Sequence, residues 1–287
     1  MLDIFLRDEI DFFFKEEGLS QAPYYLAELP SEDVACTLNF KSDLVLAGLP
    51  YFAGVFKYLL GDRLAQYQKE FLPLNKSEGK QFKKGDQLSG MILPFDVALT
   101  GERIALNLLA HASAIATQTA TIVAKARDFD IAILDTRKTL PGLRHIEKYA
   151  VRVGGGCNHR CHQTDVWMVK DNHKKFFGGV KSAVDFFQNQ KSFYRPLVLE
   201  VHSLEEFQQG LDCNVKHFLL DNFSHEMLKV AIAKKTEGIT FEASGGITSD
   251  NLHEYLIKGL DAISMGALTY AARPVDISLK FAPRSGV

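Results

Sequence analysis

The stretch PLVLEVHSLEEFQQGLDCNVKHFLLDNFSHEMLKVAIAKKTEGITFEASGG, residues 196–246, holds three short apolar runs separated by two helix-like segments. Pro196-Leu197-Val198-Leu199, His217-Phe218-Leu219-Leu220 and Thr240-Phe241-Glu242-Ala243 each end in polar or glycine residues, with Ser203 to Gly210 and Ser224 to Glu237 between them. Strands buried on both faces read as such near-continuous apolar runs, and their alternation with helices defines a parallel sheet. The unit repeats outward. Ile131-Ala132-Ile133-Leu134 and Val166-Trp167-Met168-Val169 precede it, and a helical segment from Asp250 to Gly259 leads to Ala262-Ile263-Ser264-Met265. Repetition to this extent favours an α/β barrel over an open doubly wound sheet.

Upstream, GERIALNLLAHASAIATQTATIVAKAR (101–127) has no proline, and its apolar residues recur at helical spacing until Asp128-Phe129-Asp130 breaks the pattern. It reads as a long helix bridging two domains. The first hundred residues carry the apolar runs Asp43 to Pro50 and Gly90 to Pro94, separated by a charged stretch from Lys76 to Asp86, which predicts a small α+β domain. The opening MLDIFLRDEIDFFFKEE reads as an amphipathic helix, because its charges interrupt the continuous apolar segment of a secretory signal.

At 287 residues, 46% hydrophobic and 24% charged, the chain has a globular composition and can bury a large core beside a smaller companion domain. No apolar stretch approaches the length of a bilayer span. A net charge of -2 excludes a global attraction to nucleic acid. Four cysteines, Cys36, Cys157, Cys161 and Cys213, do not make a disulfide scaffold in a chain this long. These readings place the protein in the cytoplasm and leave any anion to be held by local clusters.

The chemistry follows the apolar runs: Asp135-Thr136-Arg137-Lys138-Thr139, Asn158-His159-Arg160, Lys170-Asp171-Asn172-His173, Glu200, Asp221-Asn222, Ser244-Gly245-Gly246 and Gly266-Ala267-Leu268. Barrel enzymes assemble their sites at C-terminal strand ends. There Arg137, Lys138, Arg160 and Lys170 form a cationic cluster faced by Glu200 and Asp221, which suits a substrate with several negative charges plus a divalent metal. Arg forks match carboxylates and phosphates, and Lys adds a compact charge. Any one of these residues is as well read as a solvated charge at a loop start; together, at consecutive strand ends, they point to a site.

Ser244-Gly245-Gly246 and Gly266-Ala267 end the last two runs, each before a helix-like segment. Glycine lets a backbone approach a phosphate, and helix N-terminal amides bind it. Glu200 and Asp221 are placed to hold Mg²⁺, directly or through water, or to accept hydrogen bonds from a ribose diol. Gly154-Gly155-Gly156 lacks the order of a dinucleotide-binding loop and the acidic residue about twenty positions on, so a dinucleotide fold is rejected. Cys157, His159, Cys161 and His162 are all metal-ligand types, but their spacing is not the paired one of zinc sites.

At these residues the chain resembles a known family. DTRKTLPGLRHIEKYAVRVGGGCNHR (135–160), KDNH (170–173), LLDN (219–222), EASGGIT (242–248) and SMGALTYAARPVDISLKF (264–281) resemble quinolinate phosphoribosyltransferases, as does the helix GERIALNLLAHASAIATQT (101–119). The resemblance implies an N-terminal α/β sandwich domain over residues 1–105, to which the segment 276–287 returns, and an open seven-stranded α/β barrel over 106–275. It implies phosphoribosyl transfer from phosphoribosyl pyrophosphate to quinolinate with decarboxylation, giving nicotinate mononucleotide, pyrophosphate and carbon dioxide on the way to NAD.

Carried over by position, Arg137, Lys138, His159, Arg160 and Lys170 grip the quinolinate carboxylates. Thr136 joins the substrate-binding set, and Arg103 enters from the second subunit of a homodimer or larger homo-oligomer. Glu200 and Asp221 hold the ribose hydroxyls and Mg²⁺; Ser244, Gly245, Gly266 and Ala267 cradle the 5′-phosphate; Lys138, Glu200 and Asp221 are the implied catalytic residues. The chain departs from the pattern at Glu16-Glu17-Gly18-Leu19-Ser20-Gln21, Cys161-His162-Gln163, Tyr270 and Ala114. The alternatives are a transferase of the same fold with another acceptor, or a non-catalytic sensor of a phosphoribosyl or pyridine ligand. The latter has little reason to keep Glu200 and Asp221 opposite the cations.

Overall fold

A computed structural model describes residues 2–18, 23–190 and 194–283. Leu19, Ser20 and Gln21 of the N-terminal departure, and the last four residues of the 276–287 segment, lie outside the described residues. The chain divides into two compact units, the first drawn from 1–120, 141–154 and 272–287 and the second from 121–140 and 155–271.

In the first unit the strands are Asp33–Phe40 (β1), Leu44–Val45 (β2), Gln81–Phe82 (β3) and Gln87–Pro94 (β4). β1 alternates half-buried and buried residues, so Cys36, Leu38 and Phe40 share the core face. It pairs antiparallel with β4 on one side and with the chain's last strand, Ile277–Pro283, on the other. The register with β4 jumps from Cys36↔Met91 to Thr37↔Ser89, leaving Gly90 as the extra residue of a bulge at φ +111°.

The expected amphipathic helix is Leu2–Glu16, with Ile10 and Phe14 buried and Phe12 exposed. It packs on the helix Leu49–Leu60 at Gly54, where a Cβ would come within 2.8 Å of both Leu6 and Ile10. Phe52 and Phe56 of that second helix are wholly buried, each contributing roughly 1.5–3 kcal/mol. The long helix, Phe95–Ala126, begins directly after Pro94, six residues ahead of the expected Gly101, because Phe95 to Thr100 continue the helical pattern. Asp130, in the left-handed region at φ 57°, closes the 3₁₀ turn that follows it.

The second unit holds Ala132–Leu134 (β5), Trp167–Val169 (β6), Leu197–Val201 (β7), His217–Asp221 (β8), Thr240–Ser244 (β9) and Ala262–Ser264 (β10). All six are parallel, in the order β5-β10-β9-β8-β7-β6, so the first strand returns to pair with the last and the sheet curls. Cys157 adds a parallel bridge to Leu134 beyond β5, which supplies a seventh position. Among the described residues no ladder joins it to β6, and the barrel is open there.

Ser203 and Ser224 cap the helices Leu204–Asp212 and His225–Ala233, their hydroxyls accepting from the Glu206 and Met227 amides at 3.1 and 3.3 Å. Phe207, Phe218 and Phe241 meet edge to face beneath them. The helix expected over Asp250 to Gly259 is only a 3₁₀ turn, Leu252–Glu254. Asn251 bonds the Thr248 amide and the Gly246 carbonyl through its side chain, a local arrangement that competes with helix formation. Among the described residues no helix is long and apolar enough to cross a membrane, and all four cysteines are free thiols.

Candidate active site

Parallel pairing brings the C-terminal strand ends of the second unit to one rim, where they enclose a cavity of about 500 Å³. Thr136, Arg137 and Lys138 line it from beyond β5, His159 and Arg160 from beyond the Cys157 bridge, and Lys170 from the end of β6. Glu200 of β7, Asp221 of β8, Ser244 and Gly245 of the β9 end and Gly266 beyond β10 complete the expected set. Two expected residues are not among those lining it: Ala267, 3% exposed, and Arg103, on the helix Phe95–Ala126 in the first unit.

Asp135, wholly buried, organises one side. One oxygen accepts the His159 amide at 2.8 Å and the other the Asn158 side-chain amide at 2.6 Å, which fixes the Asn158-His159-Arg160 turn against the end of β5. A carboxylate is tolerated in the interior only when so bonded. Arg160 is half-buried, and its Nη1 donates to the Gln163 and Val166 carbonyls, both at 2.9 Å, which wraps the loop around the guanidinium. Burial, and after it the neighbouring Arg137 charge, lowers its pKa from the ordinary guanidinium value. An anion in the cavity would relieve both effects.

Across from these cations, Lys170 Nζ donates to Glu200 Oε2 at 2.8 Å. Asp221 accepts from the Ser244 hydroxyl at 2.5 Å and from the Asn222 side chain at 2.8 Å. His202 Nε2 lies 3.8 Å from Glu200 Oε1 and 3.9 Å from Asp221 Oδ2, so the two carboxylates converge on one region. It lies 3.4 Å from Asp171, whose carboxyl a hydrogen bond from Lys174 holds below its usual range.

The glycines at the strand ends make close approaches that a side chain would block. Gly245 sits at φ +97°, and a Cβ there would lie 2.3 Å from Asn222 Oδ1. At Gly266 a Cβ would come within 2.8 Å of Lys138 Cδ and of the Tyr270 ring, so the Lys138 stem lies over this glycine. Thr269 Oγ1 donates to the Lys138 carbonyl at 2.7 Å and ties the same loop down. Only a four-residue helix follows Gly266, and none directly follows Gly246. The expected anion-binding helix N-termini are therefore corrected to amides of tight turns.

Glu242, which lies inside an apolar run rather than at its end, also lines the cavity. Its Oε2 lies 3.3 Å from His159 Nε2, while its Oε1 is buried without a partner. His159 Nδ1 accepts the Arg160 backbone N–H at 2.7 Å. Strand parity was the available signal: Glu242 stands two residues before Ser244 and so on the same face of β9, and a carboxylate inside a buried parallel strand calls for a reason. A second cavity of about 270 Å³, with Val166, Val198 and Phe218 in its lining, shares His159, Arg160 and Glu242 with the first.

The class follows from this arrangement: an α/β-barrel enzyme whose substrate carries several negative charges. Comparison with known proteins narrows it. Residues 115–280 match the model of the quinolinate phosphoribosyl transferase C-terminal domain and residues 23–113 that of its N-terminal domain. The chain belongs to the quinolinate phosphoribosyl transferase family. It is 37% identical over 278 residues to the Homo sapiens nicotinate-nucleotide pyrophosphorylase [carboxylating], covering 94% of this chain and 90% of that one. A probable protein of the same name from Bacillus subtilis is 32% identical over 252 residues, with coverages of 88% and 87%. The crystal structure of NadC from Streptococcus pyogenes superposes with a TM-score of 0.78 at 34% identity over 89% of each chain.

Proposed function

We infer that this protein transfers the phosphoribosyl group of phosphoribosyl pyrophosphate to quinolinate and releases pyrophosphate and carbon dioxide, forming nicotinate mononucleotide for NAD biosynthesis. The observation that carries this reading is the single cavity in which Arg137, Lys138, Arg160 and Lys170 face Glu200 and Asp221. The pyridine nitrogen displaces pyrophosphate at the anomeric carbon through an oxocarbenium-like state, and the 2-carboxylate then leaves as carbon dioxide. No covalent nucleophile of the protein is needed.

Arg137, Lys138, Arg160 and Lys170, with Thr136 and His159 beside them, bind the dicarboxylate. Lys138 and Arg160 offset charge that develops on the ring as carbon dioxide departs. Ser244, Gly245 and Gly266 seat the 5′-phosphate, with Ala267 behind them, while Glu200 and Asp221 orient the ribose hydroxyls. The convergence of these two carboxylates near His202 fits a hard cation, and Glu200 and Asp221 would hold Mg²⁺. When bound, Mg²⁺ neutralises charge on the departing pyrophosphate.

We further place the protein in the cytoplasm, a reading supported by its four free thiols, and as a homodimer in which Arg103 of the partner subunit completes the site. The test is to incubate the protein with quinolinate, phosphoribosyl pyrophosphate and Mg²⁺ and to follow nicotinate mononucleotide and carbon dioxide, with nicotinate as a parallel acceptor. Product from quinolinate alone is expected. Absence of turnover with folded protein would overturn the substrate assignment.

A further inference from the structure

We propose that Glu242 is a positioning residue that acts through His159 on Arg160. Hydrogen-bond logic fixes the imidazole. Nδ1 accepts the Arg160 backbone N–H at 2.7 Å, so Nδ1 carries no proton in this arrangement. The proton is on Nε2, and the group facing Nε2 at 3.3 Å is the Glu242 carboxylate. Each ring nitrogen thereby faces a protein group. The ring is anchored a third time through its own amide, which donates to buried Asp135.

The consequence falls on Arg160. Its backbone is held by His159, and its guanidinium by the Gln163 and Val166 carbonyls. Glu242, two residues before Ser244 on the same face of β9, therefore orients the cation that meets the aromatic acid from beneath it. At metal sites, a partner that sets the tautomer and orientation of a histidine without touching the bound group changes affinity by about 10- to 100-fold, and that range sets the scale for Glu242. Substituting Glu242 should accordingly raise KM for the aromatic dicarboxylate and leave KM for the sugar pyrophosphate nearly unchanged.

The kinetic arm of the test rests on the transferase reading above; the spectroscopic arm does not. ¹⁵N-histidine NMR of the free protein reports which ring nitrogen is protonated, with His159→Asn identifying the resonance. The wild type and Glu242→Gln, whose amide oxygen still accepts, are expected to show the Nε2–H tautomer. Glu242→Ala is expected to lose that single form. In kinetics, Glu242→Ala should raise KM for quinolinate by about 10-fold or more, with KM for phosphoribosyl pyrophosphate within about 2-fold of wild type, and Glu242→Gln should restore most of the loss.

An Nδ1–H tautomer in the wild type overturns the proposal without any variant, even if Glu242→Ala fails to fold. So does an unchanged His159 signature in Glu242→Ala, or an equal rise of both KM values. If the wild type shows the Nε2–H form but turns over no quinolinate, the substrate assignment fails while the positioning role of Glu242 stands.

Discussion

Gly245→Ala tests how the β9 end is seated against the β8 end. At φ +97° an L side chain is strained, and the ordinary penalty for a left-handed non-glycine residue is about 1–2 kcal/mol. The new Cβ would also lie 2.3 Å from Asn222 Oδ1 and 2.7 Å from the Asn222 amide nitrogen, so Asn222 must move. Movement breaks the 2.8 Å bond from Asn222 to Asp221, and a hydrogen bond to a charged group contributes about 1.5–3 kcal/mol. Together these give a loss of about 2.5–5 kcal/mol, or a fall in Tm of about 4–8 °C. Calorimetry measures the stability, and initial rates measure KM for phosphoribosyl pyrophosphate, which should rise about 10-fold as Asp221 loses its orientation. Asn222→Gly with Gly245→Ala removes the side-chain clash and should be less destabilised than the sum of the single variants by about 1 kcal/mol or more. A Gly245→Ala protein melting within about 1 °C of wild type, with unchanged KM, would refute the reasoning.

Lys170→Met leaves Glu200 without its nearest cation and should lower kcat/KM about 100-fold; a fall of less than about 3-fold argues against a role in the site. Arg103→Ala and Lys138→Ala should each be nearly inactive. Mixing the two subunit types should restore activity through mixed dimers, and no recovery after proven subunit exchange would mean that each site is self-contained. Glu78 accepts from the Gly48 and Leu49 amides and from Tyr149, yet burial outweighs these bonds and raises its pKa. A carboxyl raised in the folded state favours folding below its unfolded pKa, and that contribution is lost as pH rises through the folded value. The Tm advantage of wild type over Glu78→Gln should therefore shrink as pH rises above the ordinary carboxylate range of about pH 4, and an advantage that grows in that direction would contradict the burial argument.

Much of the second unit was legible because its strands are buried on both faces and stand out as apolar runs. Each expected run lies on an observed strand, with ends shifted by two residues or fewer. β1 does not stand out in this way, because its alternation, DVACTLNF, buries only every second residue and makes no run. Asp43 to Pro50 serves two elements: the apolar stretch contributes the two-residue β2 and then feeds the helix Leu49–Leu60, with Pro50 in its first turn, where a missing N–H does no harm. Most of the cavity could be anticipated from polar residues that end apolar runs. Glu242 and His202 could not be found that way, since one lies inside a run and the other two residues past Glu200. Pleat parity places both on the faces of residues already singled out, whereas the pairing of Glu242 with His159 depends on barrel curvature that no local pattern encodes.

The two cavities share His159, Arg160 and Glu242, so this layer of side chains borders both of them. On one side a sugar with cation-like character must meet only its pyridine partner; on the other lies a further 270 Å³. Excluding water is what keeps such a reactive sugar from being wasted on hydrolysis. Glu242 stands at that border, so the carboxylate that faces His159 touches both spaces at once.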